Sequence, residues 1–109
     1  MTIVKIKKRG NSIKSVQTMG HTGYAASGED IVCAAVSSVI QTALLGLLQV
    51  AGINVLYERD DEDGYLMFEL PDDITDQQAH DADVILSTMY MGIADLVESY
   101  SDYIKLEVK

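Results

Sequence analysis

A chain of 109 residues with 48% hydrophobic content can bury one core and is too short for two, so a single domain spanning residues 1–109 is expected. One cysteine, two histidines and one proline leave no internal disulfide, no multi-thiolate zinc site and no proline-rich linker, and neither a metal nor a cofactor is expected. The net charge of −9 resolves into +5 over the first fourteen residues, from Lys5, Lys7, Lys8, Arg9 and Lys14, and −14 beyond them, which argues against direct nucleic-acid binding and is compatible with a basic polypeptide partner.

Taken in chain order, the amino terminus interleaves apolar residues with lysines instead of gathering them into a block, so it does not read as a secretory signal, and a cytoplasmic protein is expected. Val4 and Ile6 alternate with Lys5 and Lys7. After Arg9-Gly10-Asn11-Ser12, apolar or β-branched residues return at Ile13, Val16 and Thr18. This pattern predicts a hairpin with its lysines toward solvent. The segment Gly20 to Gly28 follows neither period and carries Gly20, Gly23 and Gly28, which predicts a loop with conformational freedom.

From Ile31 to Tyr57 no residue is charged. The part from Ile31 to about Ala51 has the length of a membrane span. Ser37, Ser38, Gln41, Thr42 and Gln49 dilute it, however, Asp30 and Glu58 flank it, and no Lys, Arg or Trp anchors either end. The expectation is a buried helix, apolar nearly all round and therefore covered on more than one side, packed between strand layers as the central core element.

Ile53, Val55 and Tyr57 alternate, an acidic turn spans Asp60 to Gly64, and Leu66, Phe68 and Leu70 alternate beyond it, predicting a second hairpin. After Pro71, Thr75 and Gln78 have capping-box spacing. Ala82, Ile85, Leu86, Met89, Ile93, Leu96 and Val97 then recur at helical intervals. Met89 and Met91 are read as core packing and His80 as a solvated histidine without a role. Ile104, Leu106 and Val108 alternate as a last strand. The fold class is α/β, a small layered sandwich of order β-β-α-β-β-α-β.

Chemistry centres on Cys33. A helix starting near Asp30 would place it in the first turn, where unpaired N–H groups and the positive end of the dipole favour a thiolate. The dipole supplies only about 0.3 to 1 kcal/mol, too little alone to ionise a thiol at neutral pH, and a cap carboxylate at Asp30 opposes it. A cationic neighbour is therefore required, and His21, in the glycine-rich loop, is the candidate general base. A cysteine followed by Ala34-Ala35-Val36 also fits an inert, buried small hydrophobe, and spacing does not separate the two readings. Ser37, one turn beyond Cys33, either hydrogen-bonds near the site or satisfies a carbonyl of the preceding turn.

Gly20-His21, Tyr24-Ala25, Gly28 and the run Asp30-Ile31-Val32-Cys33-Ala34-Ala35-Val36-Ser37 resemble the signature of the ribosomal-processing cysteine proteases, and length and element order agree along the whole chain. The resemblance implies a small α/β sandwich, usually a homodimer. It implies removal of the amino-terminal extension of a large-subunit ribosomal protein, number twenty-seven of that subunit. It places the family's histidine and cysteine on His21 and Cys33, its aspartate on Asp30 and its helix serine on Ser37. A mobile loop between histidine and cysteine is implied as well, which Gly20, Gly23 and Gly28 would suit. Thr22 departs from the alanine common there.

Two rival functions remain at this level: an acidic binding module for a basic ribosomal or phage segment, with Cys33 as packing, and the same protease acting on phage structural proteins. A nucleic-acid role for the basic hairpin is disfavoured, because lysines on edge strands commonly block aggregation.

Overall fold

The structure, a computed structural model, describes residues 1–20, 27–60 and 64–109, with backbone only for 27–30. β1 (Thr2–Arg9) and β2 (Ser12–Met19) form the first hairpin, turning at Gly10, whose φ of 64° lies in the left-handed region that glycine enters without a steric penalty. α1 (Ser27–Leu45) continues into a π-helical turn, Gly46–Val50. β3 (Leu56–Asp60) and β4 (Tyr65–Glu69) make the second hairpin, α2 runs over Asp76–Ser99 and β5 over Ile104–Val108. The sequence-based order β-β-α-β-β-α-β is the order found.

All five strands join one sheet in the order β3-β4-β2-β1-β5, with β5 parallel to β1 and the other pairs antiparallel. Its covered face is written in the alternation of each strand: Thr2, Val4 and Ile6 on β1, Val16 and Thr18 on β2, Leu66 and Phe68 on β4 are buried. They meet Val36, Ile40 and Leu47 from the first helical segment and Leu86 and Ile93 from α2. Full burial of each such aliphatic side chain stabilises the fold by about 1.5 to 3 kcal/mol.

A single sheet corrects the expectation that α1 lies between strand layers. One side of α1 packs into the core, Val32, Val36, Ile40, Ala43 and Leu44 being buried at intervals close to three and four, whereas Ile31 and Leu45 are exposed. The sheet and α2 together satisfy enough of its apolar surface that a second strand layer is not required. Ile31–Val50 is long and apolar enough to cross a membrane by length and composition alone, yet its core-facing stripe is occupied by tertiary contacts. Between α1 and α2 an apolar groove remains, lined by Val39, Ala43, Gly46, Val84, Ile85 and Met89.

Three further local features differ from the sequence-based reading. Lys7 pairs with Ser15 and Lys8 with Ile13, so Lys14 is the extra residue of a β-bulge; this lets Ile13 and Val16 both face the core although three residues apart. Lys14 does not mark the solvent face: its ammonium donates to the Leu70 carbonyl and, at 2.7 Å, to Asp72. Arg9 donates to the same carboxylate at 3.0 Å, and these two cations, Lys14 first, hold Asp72 below the usual carboxylate range. Ile53 and Val55 are buried but precede β3, all of whose residues are exposed. Met91 is also exposed, and only Met89 joins the core.

The capping box is present as read: Thr75 Oγ1 accepts from the Gln78 N–H at 3.0 Å and Gln78 Oε1 from the Thr75 N–H at 3.0 Å.

Candidate active site

Cys33 and Ser37 lie one turn apart on α1, both half-buried, beside the fully packed pair Val32 and Val36. This flank of the helix borders the end of the sheet where β1 begins, β2 ends and β4 begins. Gly20, just past β2, donates its N–H to the Gly64 carbonyl at 2.9 Å, which fixes its position against the start of β4. A β-carbon built on Gly20 would stand 2.8 Å from Cys33 Sγ, 3.7 Å from the Gly64 carbonyl oxygen and 3.9 Å from Thr2 Oγ1. The sulfur thus occupies the space that any other residue at position 20 would fill with its side chain.

Thr2 completes this corner. Its N–H donates to the Tyr103 carbonyl at 2.9 Å, it pairs with Ile104 in the parallel ladder, and it is only 2% exposed. Its hydroxyl has no hydrogen-bond partner among the described residues. Reasoning from sequence missed Thr2 and Gly64. The signal for Thr2 was present, since a threonine in phase with Val4 and Ile6 faces the core.

Of the residues singled out from sequence, the structure brings Gly20 and Cys33 together. His21 and Gly23 lie outside the described residues, as does the side chain of Asp30. α1 begins at Ser27, earlier than expected, with three consequences. Gly28 belongs to the helix and not to the loop. Asp30 lies past the cap position, so it is not the helix cap. Cys33 is the seventh residue of α1, in its second turn, where a backbone N–H is spent on the carbonyl four residues back; it is not an oxyanion donor, and the dipole has faded there. His80 is exposed, with Nδ1 3.4 Å from the Asp81 carboxylate. Among the described residues no three His, Cys, Asp or Glu side chains gather as metal ligands.

What the corner offers chemically is a single soft nucleophile on a rigid helix, held against a glycine whose chain neighbour is a histidine. A thiol so placed is a candidate nucleophile, of the kind that attacks acyl carbons.

The chain matches the model of the cysteine protease Prp family over residues 1–105. It is 25% identical to the ribosomal processing cysteine protease Prp of Bacillus subtilis, over 92% of this chain and 89% of that one. It is 28% identical to the Staphylococcus aureus protein of the same name, over 83% and 81%. Among solved structures, the S. aureus protease in complex with a substrate peptide superposes with a TM-score of 0.87 at 24% identity, covering both chains in full. A Streptococcus mutans protein superposes with 0.86 at 27% identity, over 99% of this chain and 93% of that one. The class defined by fold and family is therefore that of the cysteine proteases. Within that class, this chain belongs to the Prp family.

Proposed function

We propose that this enzyme removes the amino-terminal extension of large-subunit ribosomal protein number twenty-seven, with Cys33 as nucleophile and His21 as general base and acid. The observation that carries the proposal is the seating of Cys33 Sγ against Gly20, the residue directly before His21 in the chain. Support for the substrate comes from the relatives, which are named for ribosomal processing, and from the strongly acidic remainder of the chain, which favours encounter with a basic polypeptide.

In this mechanism the His21 imidazole accepts the Sγ proton, and the thiolate attacks the scissile carbonyl carbon to give a tetrahedral oxyanion. Collapse breaks the C–N bond while the imidazolium returns its proton to the leaving amine. Water, deprotonated by the same imidazole, then hydrolyses the thioester and regenerates the thiol. Asp30 orients the imidazole, and Ser37, one turn from Cys33, borders the reacting sulfur. Oxyanion donors come from groups other than the Cys33 N–H. The enzyme acts in the cytoplasm as a homodimer.

Incubating wild type, Cys33→Ala and His21→Ala with a peptide spanning the extension junction, read by mass spectrometry, tests both nucleophile and substrate. Cleavage by wild type alone is the expected result. Cleavage by Cys33→Ala would overturn the nucleophile. Failure of the wild type to cut this peptide would overturn the substrate.

A further inference from the structure

A buried hydroxyl without a partner destabilises a fold, and valine would fill the same volume without that penalty. Such a group in a native structure asks for a reason, and Thr2 is one. Its location supplies the reason. Thr2 Oγ1 and Cys33 Sγ border the same small space, 3.9 and 2.8 Å from the place a Gly20 β-carbon would take, and at rest the hydroxyl makes no hydrogen bond to the sulfur. A neutral thiol is a weak acceptor. A thiolate is an anion, and a hydroxyl donating to it makes a charge-assisted bond of roughly twice the usual strength. A donor idle before ionisation and engaged after it favours the ionised form.

We infer that Thr2 is a positioning residue for the nucleophile: when the thiol ionises, the Thr2 side chain shifts to bring its hydroxyl within reach of Cys33 Sγ, and the bond it donates stabilises the thiolate. The proton stays on Thr2 throughout, and His21 remains the base. This rests on the reading of Cys33 as the nucleophile.

The test is the rate of Cys33 alkylation by iodoacetamide as a function of pH, in the full chain, for wild type, Thr2→Val and Thr2→Ser, with folding verified by circular dichroism. Thr2→Val is expected to slow the reaction at pH 7 about tenfold and to move the midpoint of the profile up by about one pH unit, since one unit is tenfold in the ionisation equilibrium. Thr2→Ser, which keeps the donor, is expected to restore most of the rate. The same upward shift should persist when Thr2→Val is made in His21→Ala; its disappearance there would mean that the hydroxyl serves the imidazole and would overturn the inference. A folded Thr2→Val with the wild-type profile, or Thr2→Ser as slow as Thr2→Val, also overturns it. Should Thr2→Val not fold, Thr2→Ala against Thr2→Ser makes the same comparison. A wild-type Cys33 unreactive at pH 7 removes the nucleophile itself, and this inference with it, whereas a reactive wild type beside an indifferent valine variant removes only the role of Thr2.

Discussion

Gly20 and Cys33 are locked in a steric relationship: the sulfur sits 2.8 Å from where a β-carbon at position 20 would be, closer than two such atoms can approach. The constraint is on space and not on backbone angle, because Gly20 is absent from the glycines with positive φ. Gly20→Ala must therefore push the sulfur or the end of β2 aside. Displacements near 1 Å in an active site cost on the order of a hundredfold in rate. We expect Gly20→Ala to lower kcat/KM for peptide cleavage by about that factor, with a stability loss of about 1 to 3 kcal/mol from overpacking. Peptide cleavage and denaturant titration check the two numbers separately, and wild-type kcat/KM would contradict the geometry.

The Arg9–Asp72–Lys14 cluster predicts a pH dependence of stability with a definite sign. The two cations lower the Asp72 carboxyl, so its folded value lies below the unfolded one. Its contribution is then complete above the ordinary carboxylate range, near 4, and is lost as pH falls through the lowered folded value. Asp72→Asn should be less stable than wild type at neutral pH, and the gap should close under acid. Urea titrations at pH 7 and at about pH 3 read this directly; a gap that widens in acid would refute it. Lys14→Met should be the costlier change, because the lysine side chain is only 13% exposed and its loss takes a donor from the Leu70 carbonyl, at about 1 to 2 kcal/mol.

Thr75→Ala removes the hydrogen bond that the Thr75 hydroxyl accepts from the Gln78 N–H at the start of α2 and keeps the backbone N–H that donates to the Gln78 side chain. A loss of about 1 kcal/mol is expected, with peptide cleavage unchanged, as measured by thermal melting and the same cleavage assay.

Within one uncharged run, Ile40 is fully buried whereas Val50 is 83% exposed. Ile40→Ala should cost about 2 to 5 kcal/mol through the cavity it leaves, and Val50→Ser should stay within about 0.5 kcal/mol. Equal effects from the two substitutions would mean that the run is not oriented as described.

Where each element falls was legible because period and turn chemistry agree locally. Val4 with Ile6, Leu66 with Phe68, and the Thr75–Gln78 pair each announce their element without reference to the rest of the chain. What escaped depends on relations between elements. The bulge at Lys14 arises from pairing with β1, and the early start of α1 moved Cys33 from first turn to second. Equally, nothing in the apolar run said which side of it meets the sheet. Gly20 and Cys33 were both marked beforehand, since thiol chemistry and glycine each stand out by type. Their contact, and the part Thr2 takes in it, follows from the register that sets the ends of β1, β2 and β4 together.

The parallel pairing of β1 with β5 joins Thr2 to Ile104, and the Thr2 N–H is held by the Tyr103 carbonyl. One edge of the strand beside Cys33 thus stays open until Ile104–Val108 has been made. Contacts between segments so far apart in sequence form late and slowly. During synthesis, the helix carrying Cys33 emerges well before the strand that closes its surroundings, so proteolytic competence should appear only as the last strand docks. The order of assembly itself would then keep a half-made protease from cutting.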